Sequence, residues 1–221
     1  MKIKKTALMM SLIAVGLLSG SASATTYQGS DFSSMSYYSG SYNAGPPGHA
    51  ALAYTGSDQA VVGVIGPLGT LNNLNMSFTY ANLIGGPGNN PYAAFGISDN
   101  STWVGGTPVH RLDVISENGN QLIGTSLVHV WDFTANGGNG GDVSGMSGVT
   151  LDSILGTYGT WEVMRAYAYI GNSGAVSGSV DINSITVTTV PDGASTALLL
   201  GLGFAGLALF GVRQNRLQMA K

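Results

Sequence analysis

The chain reads as an all-β protein, a β-sandwich or jelly roll, bracketed by an export signal and an apolar C-terminal helix. Three observations carry that reading. Several segments alternate apolar and polar residues with period two, and Leu74, Met76, Phe78 and Tyr80 against Asn75, Ser77 and Thr79 form the clearest of them. These segments are short and are separated by Gly/Asn/Pro turns such as 85–91 and 171–174. Strong helix formers do not occur in runs between the two ends, so the pattern predicts two packed sheets and negligible helix.

In chain order, Met1-Lys2-Ile3-Lys4-Lys5 opens the sequence, an apolar run reaches Leu18, and Ala22-Ser23-Ala24 supplies an A-x-A site. That layout is a secretory signal peptide over 1–24, with a mature chain from Thr25. The domain then occupies 25–189. Its first part, Thr25–Gly48, is rich in Ser, Tyr and Gly and reads either as a loosely ordered leader or as a first edge strand. Beyond the alternation at 74–80, strands are expected at Gln59–Ile65, Tyr92–Ile97, Arg111–Ser116, Gln121–Phe133, Trp161–Ile170 and Ser179–Val190. Asn118-Gly119 predicts a tight hairpin joining Arg111–Ser116 to the strand from Gln121. On the strand from Trp161, simple alternation puts Trp161, Val163, Arg165, Tyr167 and Tyr169 on one side. Glu162, Met164, Ala166, Ala168 and Ile170 then take the other. On the last strand Val180 and Ile182 are out of phase with Ile185 and Val187, which predicts a bulge near Asn183-Ser184 that returns both pairs to the core.

Composition excludes whole classes of function. Between the terminal segments the only cations are Arg111 and Arg165, against ten acids, a balance of −8. Such a domain repels phosphate backbones, so nucleic acid is not its partner. The absence of cysteine removes disulfides, thiolate metal sites and cysteine nucleophiles together.

The candidate chemistry is sparse. Gly137 to Asp142 fits G-G-x-G-x-D, part of the calcium-binding β-roll repeat, and Asp132 and Asp142 with backbone carbonyls form the one candidate calcium set. A β-roll needs tandem copies and there is one, so the segment reads as a long hairpin loop and the fold requires no cofactor. His49, His110 and His129 are far apart in sequence, and no H-E-x-x-H is present. His129 alternates with Leu127 and Trp131, the position of a half-buried strand histidine. There is no G-x-S-x-G elbow, and the two glutamates, Glu117 in a turn and Glu162 on a strand, do not form an obvious acid pair. No catalytic residues are therefore assigned. For sugar stacking, the loop Ser101–Gly106 presents Trp103 beside Asp99 and Asn100, and these three are the candidate ligand-binding residues.

The C-terminus is more explicit. Val190-Pro191-Asp192-Gly193 precedes an uncharged stretch over 193–212, followed by Arg213 and Arg216. The stretch has the length of a spanning helix, roughly 17–25 residues. Gly201-Leu202-Gly203-Phe204-Ala205-Gly206 satisfies a dinucleotide-loop pattern but lacks the preceding strand of a βαβ unit. Its small residues suit close helix approach instead. An export signal paired with a Pro motif, a glycine-rich helix and a basic tail resembles the PEP-CTERM class of exported bacterial proteins, closest to its Val-Pro-Asp-Ser-Gly variant. The resemblance is confined to residues 190–221 and concerns sorting alone. It implies Val190, Pro191, Asp192 and Gly193 as the sorting motif and an exosortase-like enzyme as processing partner. It also implies transient residence in the inner membrane of a Gram-negative envelope rich in exopolysaccharide. An ordinary anchor that is never cut is the alternative. The combined expectation is an exported, non-enzymatic envelope or matrix protein with a structural or adhesive role that contacts exopolysaccharide. A carbohydrate-binding module with a defined site is the rival, and a glycan-active enzyme is a distant third.

Overall fold

Period-two alternation becomes two antiparallel sheets packed face to face. The computed structural model describes residues 22–34, 41–44, 50–54, 59–85, 90–99, 103–104, 107–108, 110–117, 119–132, 140–171 and 177–190. In chain order the strands are β1 (Ser23–Tyr27), β2 (Ser33–Ser34), β3 (Ser41–Ala44), β4 (Ala50–Tyr54), β5 (Gln59–Thr70), β6 (Leu74–Ile84), β7 (Tyr92–Ser98), β8 (Trp103–Val104), β9 (Thr107–Pro108), β10 (Leu112–Ser116), β11 (Gln121–Leu122), β12 (Leu127–Asp132), β13 (Gly141–Thr150), β14 (Glu162–Gly171) and β15 (Gly178–Thr189). One helix, α1 (Leu151–Tyr158), joins β13 to β14. The strands form a compact unit over Ser23–Thr189. Residues 1–21 of the expected signal peptide, the sorting motif beyond Val190 and the apolar stretch 193–212 lie outside the described residues; Ala22-Ser23-Ala24, its expected cleavage site, is described and enters β1. Among the described residues no helix is long and apolar enough to cross a membrane.

The six-stranded sheet runs β11-β6-β15-β4-β3, with β1 also paired to β15. The seven-stranded sheet runs β13-β12-β10-β7-β14-β5-β2, and β8 and β9 form a separate ribbon. The core between the two sheets is built from Leu52, Met76, Phe78, Ile182 and Ile185 on one side and Val62, Phe95, Val114, Val130 and Ala166 on the other. Each large side chain buried there stabilises the fold by about 1.5–3 kcal/mol.

The expected bulge near Asn183-Ser184 is present. The register between β6 and β15 shifts between Ile182 and Ser184, and Val180, Ile182, Ile185 and Val187 all reach the core. A second irregularity on β6 falls at Asn82, which adopts φ 51°, a left-handed conformation that Asn tolerates. Asn82 Nδ2 donates to Asp181 Oδ2 at 2.6 Å and fastens the bulge. Near this irregular end the alternation stops predicting burial: Tyr80, expected in the core stripe, is 38% exposed and tilts at 47° against the Phe78 ring, centroids 5.9 Å apart.

Three further expectations are corrected. Asn118-Gly119 does not make a hairpin. Strand β10 pairs with β7 and β12, whereas β11 crosses to β6 in the other sheet. Gly119 has φ 115°, so the turn chemistry is used to change sheets, and its carbonyl accepts from Ala93 N at 3.0 Å. The expected strand Gln121–Phe133 is therefore two strands in two sheets. On β14 the register shifts between Val163 and Arg165, which moves Val163 to the side of Ala166, Ala168 and Ile170 in the core and leaves Arg165, Tyr167 and Tyr169 on the outer face. Finally, α1 was not expected. Leu151, Ile154 and Tyr158 are its buried residues, at i, i+3 and i+7, a helical period inside a segment short enough to pass as a turn.

Strand β1 begins at Ser23, two residues before the expected mature terminus. Ser23 pairs with Thr189 and Ala24 with Thr188, and Ser23 N donates to Thr189 Oγ1 at 3.0 Å. The expected N-terminal cleavage point, after Ala24, thus lies beside Thr188 near the end of β15.

Candidate functional site

The outer face of the seven-stranded sheet is where sequence and burial disagree most. An outer face in water would carry polar residues that stay exposed. Here β10 is buried along its whole length, and β7 from Ala93 to Ser98. The register explains what stands on that face. One rung across the sheet reads Asp142, Trp131, Asp113, Gly96, Arg165 and Ile65 from β13 to β5. The next reads Ser147, His129, Ile115, Ala94, Tyr167 and Gly63. A third pairs Tyr92 with Tyr169.

At the centre sits a charged cluster that the sequence reading did not single out. Arg111 Nε donates to Asp113 Oδ1 at 2.8 Å and Arg111 Nη2 donates to Asp113 Oδ2 at 2.6 Å, a two-pronged pair between residues i and i+2 of one strand edge. Tyr167 Oη donates a short hydrogen bond to the same Asp113 Oδ2. Asp113 is 0% exposed and both arginines are 4% exposed, so the domain's only two cations are spent in this cluster. Burial pushes the Asp113 carboxyl above the ordinary carboxylate range, opposed by the charge of Arg111, by hydrogen bonds from Arg111 and Tyr167, and by the charge of Arg165. Glycines make the room. A Cβ on Gly96 would sit 3.2 Å from Asp113 Oδ1 and 3.5 Å from Arg111 Nε, and Gly63 lies directly across from Tyr167. The available signal was Arg-x-Asp on a strand, which places both side chains on one face.

Aromatic rings stand beside the cluster on the same face. Tyr92 and Tyr169 stack with centroids 5.3 Å apart and planes at 27°, and Tyr167 lies 6.5 Å from Tyr169. Such contacts contribute about 0.5–1.5 kcal/mol beyond area burial. Tyr92, Trp131 and Tyr169 are only partly buried and pack on Val61, Ala94, Ile115 and Tyr167.

At one end of the seven-stranded sheet the structure brings together three residues that the sequence reading treated separately. His110 Nδ1 lies 3.3 Å from Asp99 Oδ2, and His110 Nε2 lies 3.8 Å from Asp132 Oδ2. The imidazole also meets Trp161 edge-on with centroids 5.4 Å apart. Because the ring stands between the two carboxylates, this arrangement is a side-chain bridge rather than a chelate. Asp132 and Asp142 do not converge either. Asp142 pairs with Trp131 and Asp132 with Gly141, so strand alternation sends the two carboxylates to opposite faces of the β12–β13 hairpin. Among the described residues no group of three His, Cys, Asp or Glu side chains is arranged to hold a metal. The stems of the expected Asp132–Asp142 hairpin are paired as β12 and β13, while 133–139 lie outside the described residues.

Of the other expected ligand residues, Asp99 is exposed and occupied by His110. Trp103 is on β8, paired with Pro108 on β9, rather than on an open loop; its side chain and Asn100 lie outside the described residues. His129 is half-buried, as its alternation predicts, and His49 is outside the described residues. Glu117 Oε1 accepts from Gly148 N at 2.8 Å and from Ser147 Oγ at 3.2 Å, which fastens a bulge of β13 where Gly148 adopts φ 69°. Glu162 pairs with Ser98 at the start of β14.

No family model matches the chain, and no curated protein matches it. Among solved structures it is similar to the glycosylation-associated protein (Gap123) complex of Streptococcus agalactiae at 10% identity and TM-score 0.36, over 81% of this chain and 28% of that one. It is also similar to endoglucanase 3 of family GH12 from Trichoderma harzianum at 14% identity and TM-score 0.38, over 77% of this chain and 98% of that one. The carbohydrate recognition domain of Emp47p is similar at 10% identity and TM-score 0.32, over 73% of this chain and 89% of that one. Likenesses at these scores carry no functional argument, which rests on the chain's own residues.

Proposed function

We propose that this chain is an exported, non-catalytic β-sandwich protein of the cell envelope or its exopolysaccharide matrix, with a structural or adhesive role exerted through weak glycan contacts. The observation that carries the reading is the outer face of the seven-stranded sheet. Partly buried Tyr92, Trp131 and Tyr169 stand on that face beside a buried polar cluster, an aromatic platform of the kind on which sugar rings stack. The non-catalytic half of the proposal draws on how the acids are used. Asp113 is held by Arg111 and Tyr167, and Glu117 fastens the backbone of β13. Hydrolysis of a glycosidic bond needs two carboxyl groups free to face one substrate.

Export and sorting belong to the same proposal. The signal at 1–24 and the sequence from Val190 to Lys221 support delivery to the envelope with removal of the C-terminal peptide by an exosortase-like enzyme. Intact mass of protein from the native host is expected to lack both segments; full-length protein in the inner membrane would favour a plain anchor.

A glycan array probed with the purified protein, with and without calcium, tests the glycan half. Binding that weakens in Tyr169→Ala and does not depend on calcium is expected. Release of sugars from exopolysaccharide, abolished by Glu162→Gln, would overturn the non-catalytic half.

A further inference from the structure

The class of sugar follows from two observations, and the inference rests on the glycan reading above. The first is the distribution of charge. No lysine occurs between Lys5 and Lys221, and Arg111 and Arg165 are each only 4% exposed. Histidine aside, every exposed charge among the described residues is therefore a carboxylate. The second is the placement of one of them. Asp142 is exposed and stands directly across from Trp131 on neighbouring strands of the outer face. Directly opposed residues of an antiparallel pair have Cα atoms about 4.5–5.5 Å apart, so one sugar unit can reach both side chains.

We infer that this face takes an amine-bearing polysaccharide built of glucosamine-type units, with a sugar ring against Trp131 and its ammonium beside Asp142. A uronate- or sulfate-bearing polymer meets like charge on the same surface and is turned away. An N-acetylated polymer keeps the ring contact and loses the ion pair. One exposed ion pair contributes at most about a fivefold gain. Repetition of the unit along a polymer engages several protein molecules on one strand and raises the apparent affinity further.

The test uses the full chain in detergent, immobilised, against partially deacetylated chitosan, its fully acetylated counterpart and polygalacturonate. The amine-bearing polymer is expected to bind several-fold more tightly than the acetylated one at low salt and to lose that advantage at about 0.5 M salt. Asp142→Asn is expected to weaken it about threefold, by loss of one exposed pair. Asp181→Asn, the same charge change on β15 of the other sheet, is expected to leave binding unchanged. Acetylated or uronate polymer binding as tightly as the amine-bearing one overturns the assignment of sugar class while leaving the glycan reading intact. So does unchanged binding by Asp142→Asn. Failure of all three polymers to bind overturns the glycan reading itself, and this inference with it.

Discussion

The two sheets use the same strand geometry for different ends. In the six-stranded sheet, β6 and β15 bury one side and show the other to water: Met76, Phe78, Ile185 and Val187 point into the core, while Ser77, Thr79, Thr186 and Thr188 line the outer side. In the seven-stranded sheet the outer side of β7, β10 and β14 is also buried, and it holds Asp113, Arg165 and Tyr167. A face of Ser and Thr costs little, because its hydroxyls bond one another, as Thr79 with Ser184 and Thr186 with Thr26, and stay within reach of water. A buried Arg–Asp pair carries a desolvation penalty of several kcal/mol per ion. A fold that maintains such a cluster on one outer face and not the other has specialised that face.

The largest way to break this contrast is to remove one partner of the cluster. Arg111→Met is expected to destabilise by about 3–5 kcal/mol in chemical denaturation, because it leaves the Asp113 charge buried without its main partner. Arg111→Met with Asp113→Leu is expected to recover most of that loss, since a well-packed apolar pair removes both penalties. The pH dependence has a definite sign. Without Arg111, which lowers it, the Asp113 carboxyl is pushed still further above its unfolded value. The penalty is therefore full at neutral pH and is relieved as pH falls through the raised value. A loss from Arg111→Met that grows on acidification would contradict the burial account.

Smaller changes sharpen the same comparison. Gly96→Val is expected to cost about 1–3 kcal/mol, since its side chain would press on Asp113 and on the Cβ of Arg165, 3.3 Å from where a Cβ at 96 would lie. Thr186→Val on the outer side of β15, whose hydroxyl touches only Thr26 Oγ1 at 3.0 Å, is expected to change stability by less than about 0.5 kcal/mol. Equal effects at the two positions would mean that the faces are not different in kind.

The same contrast explains what was legible in the sequence. Where a strand has one wet side, alternation reads directly: β6 was located, and the bulge at Asn183-Ser184 followed from the phase of Val180, Ile182, Ile185 and Val187. Where both sides are buried, the apolar and polar sets no longer sort by face, and β14 shows the cost. Its bulge at Val163–Arg165 is invisible in a run where nearly every residue is buried, so Val163 was assigned to the wrong side. Asn118-Gly119 does not join a hairpin, because turn chemistry, here Gly119 at φ 115°, specifies a change of direction and not the sheet to which the chain returns. The Arg111–Asp113 pair was missed because two residues of opposite charge at i and i+2 look like an ordinary solvated face. The fact that these were among the very few charges of the domain, with both of its cations involved, was the available clue. The ligand candidates divided similarly. Asp99 and Asp132 came together only through His110, a contact between the ends of β7 and β12 that no local pattern encodes.

The most direct measurement compares glycan binding of two single variants, one removing a ring from the outer side of the seven-stranded sheet and one removing an exposed ring from the six-stranded sheet. Tyr169→Ala acts on the seven-stranded sheet, and Tyr80→Ala removes a ring that is 38% exposed on the six-stranded one. Binding is measured by titration on the glycan that the array identifies, after circular dichroism shows that both variants are folded. The account predicts that Tyr169→Ala weakens binding several-fold through loss of the ring. Tyr80→Ala is predicted to bind like the unaltered protein. Loss of binding in Tyr80→Ala with full binding in Tyr169→Ala would contradict it, and would move the functional surface to the other sheet.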